Sequence, residues 1–177
     1  MKADELLAQY AAGKRDFTEV NLSEAFLEGA DLSGVILDRA ILDGADLSRV
    51  NLSQASLIEA DLNGANLNQA NLTQANLNGA ILDGAILEGA ILDGANLSEA
   101  DLTIAKLINT NLREADLQEA NLNAVSLTEA DLSHADLAKA DLSQADLKNA
   151  ELHEANLNQT NLDDANLEGT ILDEDKA

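Results

Sequence analysis

The sequence contains no cysteine, so disulfides are excluded and nothing marks an oxidising compartment. Basic residues are also scarce, with 10 Lys and Arg against 33 Asp and Glu and a formal charge of -23. Direct binding to nucleic acid or to an anionic membrane requires basic patches, which this composition disfavours. Any partner attracted by electrostatic steering is therefore expected to be a basic protein.

Long apolar runs are missing as well. No stretch approaches the length of a membrane span. The first residues, MKADELLAQYAAG, carry acids where a secretory signal needs an uninterrupted apolar segment. These features predict a soluble, cytoplasmic protein.

What the sequence does contain is a repeat of five residues, seen without variation in AILDGAILEGAILDGAN at residues 80–96. From Arg15 onward the chain divides into 32 pentads without insertion or deletion. The third position of the pentad is Phe17 and then Leu at all 31 later sites, and the first position is mostly Ala. Hydrophobic residues make up 46% of the chain and fall at fixed positions, which predicts one folded repeat domain.

A period of five fits neither a helix nor a simple strand. In a helix each step rotates the Leu by about 140°, and in a strand an odd period sends successive Leu to opposite faces. One corner per pentad resolves the conflict. Nine of the ten glycines lie at the fifth position, where a type II turn requires positive φ, and Gly79, Gly84, Gly89 and Gly94 form four successive corners of this kind. Pentads ending in Gln, Glu, Lys or Arg are expected to use type I or irregular corners.

The tandem pattern A(D/N)LXX resembles the pentapeptide-repeat family over residues 15–174. The resemblance implies an all-β solenoid, a right-handed quadrilateral β-helix with four pentads per coil and about eight coils. The stretch YAAGKRDF, which follows a predicted helix over residues 3–12, is similar to the N-terminal cap of cyanobacterial members. The predicted organisation is a capping helix at residues 1–14, the β-helix at 15–174 and an acidic tail at 175–177. Its core ladder contains Phe17, Leu22, Leu52, Leu92, Leu132 and Leu172.

The outward positions offer two candidate surface features. Ile81, Ile86 and Ile91 face outward around one coil, either as a candidate interaction belt or because β-branched residues favour strands. His134 and His153 lie near acids in adjoining coils, but chance proximity explains them better than a metal site. The sequence predicts no catalytic residue, cofactor or metal, because a gapless rod offers no pocket that desolvates an acid–base pair.

These observations favour a non-catalytic scaffold that binds a protein with a basic surface. The alternative is a DNA mimic that binds DNA gyrase, which some members of the resembled family do, with topoisomerase inhibition or quinolone protection as the outcome. The acidic C-terminal residues either discourage association or belong to an end-to-end dimer formed through the last coil, so the expected state is a monomer or such a dimer.

Overall fold

The structure is a computed structural model, and it describes residues 1–171. Its one helix, α1, spans Ala3–Ala11, one residue shorter than predicted. Asp4 and Glu5 lie in the first turn, where negative charge is favoured. The helix ends at Ala11, Ala12 is its C-terminal cap, and Gly13 follows with a φ of +98°, a positive value typical of glycine after a helix.

Helix α1 covers the first coil of the repeat. Leu6 is fully buried in the core, and Leu7 and Tyr10 pack against it. The Tyr10 hydroxyl donates a hydrogen bond to the Ser33 carbonyl at 2.7 Å, and the N-terminal ammonium donates one to the Asn21 carbonyl at 2.8 Å. The helix therefore shields the apolar end of the repeat from water, as solenoid ends require.

The β structure consists of single-residue parallel bridges between residues 20 positions apart, from Asp16↔Ile36 to Glu151↔Ile171. Each coil of the described chain is therefore made of four pentads. We number the four faces in chain order and let each recur once per coil. In the first coil, face 1 is the pentad 15–19, face 2 is 20–24, face 3 is 25–29 and face 4 is 30–34.

The core is a ladder of third-position leucines flanked by small first-position residues. Every third-position side chain from Leu22 to Leu152 is at most 1% exposed, including Leu52, Leu92 and Leu132, and Phe17 closes the helix end. In the last described coil Leu157 and Leu162 are partly buried and Leu167 is 38% exposed. Leu172 and the predicted tail at 175–177 lie outside the described residues.

The corners contradict one prediction. Every fifth-position residue from Glu19 to Gly169 has positive φ, including the Gln, Glu, Lys and Arg that were expected to turn differently. At a typical corner the Leu22 carbonyl accepts the Ala25 N–H at 3.0 Å while Glu24 has a φ of 56°, as in a type II turn. The Glu24 N–H also donates to the Asp43 carbonyl of the next coil at 2.9 Å. Such hydrogen bonds between coils impose one corner geometry on every residue type.

Ile104 is the one β-branched residue with positive φ among residues 1–171, and its side chain is 57% exposed. A left-handed conformation costs an L-residue roughly 1–2 kcal/mol, and asparagine tolerates it best after glycine. We expect Ile104→Asn to raise the free energy of unfolding by about 0.5–1 kcal/mol, which corresponds to a rise in Tm of about 1–4 °C. Thermal unfolding followed by circular dichroism measures this change.

The matched control is Ile58→Asn, because Ile58 also points outward but lies at a fourth position without positive φ. No stabilisation is expected there. A lower Tm for Ile104→Asn than for the unmodified protein would show that the Ile104 side chain contributes more to the fold than the strain removes.

Candidate interaction surface

The second-position Asp and Asn residues have a structural role that the sequence interpretation did not assign. Their Oδ1 atoms accept the backbone N–H two residues later, as in Ser143 N–H to Asp141 at 2.9 Å. Asn161 Nδ2 in the next coil donates to the same oxygen at 3.0 Å. The hydroxyl and backbone N–H of Ser143 hold the pKa of Asp141 below its ordinary value, and Ser48 lowers the pKa of Asp46 in the same way.

The hydrogen bonds that close the turn at their own corner therefore favour the ionised form of Asp141 and Asp46. The D/N alternation of the repeat is the signal for this role, because aspartate and asparagine share the accepting oxygen. Acids at the fourth and fifth positions are two or three places further along the pentad and cannot make this bond. Their negative charge is available for other interactions.

Most lysines and arginines of the rod pair with these outer acids. The pairs with the closest N–O distances are Lys139–Glu119 at 2.6 Å on face 1 and Arg49–Glu28 at 2.7 Å on face 3. The remaining described pairs of Lys or Arg with an acid also lie on faces 1, 3 and 4: Arg39–Glu19, Arg113–Asp131 and Lys148–Glu168. Exposed pairs stabilise the fold little, but they neutralise charge locally.

Face 2 has no such compensation, because its pentads contain no Lys or Arg. Asp83 lies near its centre, at a fourth position. One carboxylate oxygen of Asp83, Oδ1, is buried and accepts no hydrogen bond from the described residues. An ionised oxygen in this situation has lost water without gaining a donor, which is unfavourable.

The candidate isoleucine belt lies around one coil. Ile81 on face 2 and Ile91 on face 4 are each 42% exposed, whereas Ile86 on face 3 is half-buried. The belt remains a prediction. Ile104, which the sequence interpretation did not include, is more exposed than any of the three and lies one coil later on face 2. Its sequence signal was a β-branched residue at a corner position.

The two histidines do come together. His134 Nδ1 lies 3.1 Å and His153 Nε2 lies 3.5 Å from the Glu154 carboxylate, and the two rings are 5.9 Å apart. Within residues 1–171, however, no group of three or more histidine, aspartate or glutamate side chains is arranged to hold a metal ion. The arrangement is that of an exposed, hydrogen-bonded cluster.

A depression of about 530 Å³ lies on face 3, and half of its lining residues are carboxamides, including Asn68 and Gln69. Its arginine, Arg49, is already paired with Glu28, and Asn68 Oδ1 accepts the Glu88 backbone N–H at 3.0 Å. It contains no acid–base pair removed from water. No helix in the described part of the chain is long and apolar enough to span a membrane.

Comparisons with known proteins agree with this architecture. The model of pentapeptide repeats matches residues 16–54, 55–94, 95–133 and 125–164. The crystal structure of HetL, a pentapeptide repeat protein involved in heterocyst differentiation regulation from the cyanobacterium Nostoc sp. strain PCC 7120, is 34% identical, with 97% of this chain and 95% of HetL covered and a TM-score of 0.43.

A structure of QnrB1, a plasmid-mediated fluoroquinolone resistance protein, is 17% identical with 91% of each chain covered and a TM-score of 0.53. The pentapeptide repeat protein alr5209 of Nostoc is 26% identical, with 91% of this chain and 95% of that chain covered and a TM-score of 0.27. No curated protein sequence matches the chain. With the repeat model matching most of its length, this chain belongs to the pentapeptide-repeat family.

Proposed function

We propose that this protein is a non-catalytic scaffold, a rigid rod of about eight right-handed, four-sided coils that binds a basic protein in the cytoplasm. The observation that carries the proposal is the unbroken core, in which every third-position side chain from Leu22 to Leu152 is buried. Only the second, fourth and fifth positions are left to meet other molecules. They project from a convex surface, where acid–base catalysis lacks a desolvating pocket.

The charge of the outer positions supports a basic partner. The formal charge is -23, and the second-position aspartates use Oδ1 to close turns, whereas the outer acids do not take part in this bond. The described pairs of Lys or Arg with outer acids lie on faces 1 and 3, and on face 4 Arg113 pairs with the second-position Asp131. The surplus negative charge therefore favours association with cationic surfaces.

Affinity capture tests this proposal. The immobilised protein should retain a basic protein from the native lysate at low salt and release it as the salt concentration rises, because ions screen exposed charges beyond about 10 Å at 0.1 M. A column carrying an unrelated acidic protein of similar net charge is the control. Retention of the same proteins on both columns, or of none on either, would contradict a specific scaffold role.

The second candidate function is mimicry of DNA toward DNA gyrase. Eight coils about 4.8 Å apart form a rod roughly 38 Å long, and duplex DNA of that length carries about 22 negative charges. The formal charge of -23 is close to that number. The likeness to QnrB1 supports the fold alone, since the two chains are 17% identical. A supercoiling assay with purified gyrase tests this candidate function. Unchanged supercoiling activity of gyrase at micromolar concentrations of this protein would exclude it.

The oligomeric state within the proposal is a monomer or an end-to-end dimer formed through the C-terminal coil. Partial exposure of the core residues Leu157, Leu162 and Leu167 at that end supports the dimer, because a second copy would cover them. Light scattering on the eluting protein distinguishes a mass of 18.6 kDa from twice that value.

A further inference from the structure

We propose that face 2, between residues 40 and 104, docks a cationic amphipathic α-helix of the partner protein, oriented along the rod. This inference rests on the proposed scaffold function and identifies the surface that carries it. We call the surface the face-2 patch and define it by Ile41, Asp43, Asp61, Ile81, Asp83, Asp101 and Ile104.

The first argument is the charge pattern. On face 4, the fourth-position side chain of Arg113 reaches the second-position Asp131 of the next coil, with Nη1 3.2 Å from Oδ2. On face 2 the same two positions, with the same separation along the chain, hold Asp43 with Asp61 and Asp83 with Asp101. Acid therefore faces acid at both places, in a face without lysine or arginine.

Within the second pair the two carboxylates differ. Asp101 Oδ1 accepts bonds from Thr103 and from Asn121, whereas Asp83 Oδ1 is buried without a donor in the described residues. A cation placed over the pair would offset the repulsion and the poor solvation of Asp83. Arginine suits the position best, because its guanidinium can donate to both carboxylates at once.

The second argument is the exposed apolar surface of face 2. Ile81 is 42% and Ile104 is 57% exposed on the same face. Ile104 persists in a left-handed conformation that a β-branched residue rarely adopts, although other corners hold Gln, Asn or Gly. Backbone strain of this kind is common at binding sites, where the contact made by the side chain outweighs the conformational cost of the positive φ.

The third argument is shape. The corner between faces 2 and 3 carries Gly44, Gly64 and Gly84 in three successive coils, so the corner residues themselves contribute no side chain over about 14 Å along the rod. The Glu24 side chain lies beside Gly44 and the Ile104 side chain beside Gly84, so the most open point of the strip is at Gly64. Other corners turn with bulkier residues, so the turn itself does not require this run of glycines. The strip allows close approach of a partner.

The spacing favours a helix over a strand. Ile41 and Ile81 are two coils apart, about 9.6 Å, close to the rise of about 10.5 Å between helix residues i and i+7. Same-side residues of a strand repeat about every 6.8 Å, which matches neither one coil nor two. A second copy of this acidic chain, a nucleic acid or an anionic membrane would place negative charge against the Asp pairs. The structure therefore favours a helix with aliphatic and arginine side chains on one face.

Two fluorescent synthetic peptides of identical composition, built from arginine, leucine and alanine, test the proposal on the full chain. One places leucine and arginine on a single helical face, and the other scrambles them. Fluorescence anisotropy should show that the protein binds the amphipathic peptide about tenfold more tightly than the scrambled one. We expect the double substitution Asp83→Asn with Asp101→Asn to weaken that binding about tenfold.

The matched control is Asp116→Asn with Asp136→Asn on face 1, which removes the same charge and should change binding less than about twofold. Ile104→Asn should weaken binding about fivefold while raising Tm, a combination that a purely structural role would not produce. Ile91→Asn on face 4 is its control. If the two double Asp→Asn substitutions weaken peptide binding equally, or if the two peptides bind equally tightly, the proposal that the face-2 patch is the docking site is wrong.

Affinity capture separates this inference from the scaffold function. One outcome is that the variant with Asp83→Asn and Asp101→Asn still captures the basic protein that the unmodified chain captures. In that case the face-2 patch is not the docking site, and the scaffold function remains. If the unmodified chain captures nothing beyond the acidic control, the scaffold function itself is wrong, whatever the peptides show.

Discussion

Replacing Leu92 by Asp should leave the protein unfolded or lower its free energy of unfolding by more than about 4 kcal/mol. Leu92 is fully buried in the middle of the core ladder. Truncating a buried leucine costs about 2–5 kcal/mol, and an unpaired buried carboxylate adds its desolvation. Domains are stable by only about 5–15 kcal/mol, so this loss is decisive. Urea unfolding followed by circular dichroism measures it.

The control is the same change one residue earlier. Ile91 is 42% exposed at a second position, where aspartate is frequent and its carboxylate can accept the N–H of residue 93. Ile91→Asp should therefore change the free energy of unfolding by less than about 1 kcal/mol. If both substitutions lower the free energy of unfolding by similar amounts, the assignment of residue 92 to the core and residue 91 to the surface is wrong.

The core and the repeat could be predicted because both follow from local rules. A period of five excludes a helix or a plain strand, and a buried Leu in every pentad requires one corner per pentad. The corner geometry could not be predicted residue by residue. Propensity assigns positive φ to glycine, yet Glu24 adopts it because its N–H is held by the Asp43 carbonyl of the next coil. Tertiary hydrogen bonds override the local preference.

The candidate surface was harder to predict, because it depends on which residues lie against each other across coils. The sequence interpretation selected Ile81, Ile86 and Ile91 as neighbours in one coil. It missed Ile104, since that residue joins Ile81 only once face 2 is assembled from one pentad of every coil. The opposition of Asp83 and Asp101, which belong to adjoining coils, likewise has no signal in a pattern of period five.

Deleting five residues should damage this protein less than deleting one. Removal of residues 85–89 takes out a complete pentad, and every later pentad moves by one face while its first and third positions still point inward. The coils still close after every fourth pentad. At about 0.05–0.15 kcal/mol per residue, the missing pentad costs about 0.3–0.8 kcal/mol, which lowers Tm by less than about 3 °C.

Deletion of Leu87 alone has a different effect. The pentad AILEG becomes AIEG, so Glu88 takes the third position between Leu67 and Leu107, which are both fully buried, and the corner loses a residue. A buried carboxylate and a broken corner together should cost more than about 4 kcal/mol. Far-UV circular dichroism and thermal unfolding of the two variants decide between these expectations. If the pentad deletion is as disruptive as the single deletion, the four faces are not interchangeable, and specific contacts between coils, rather than the repeated inward Leu, hold the rod together.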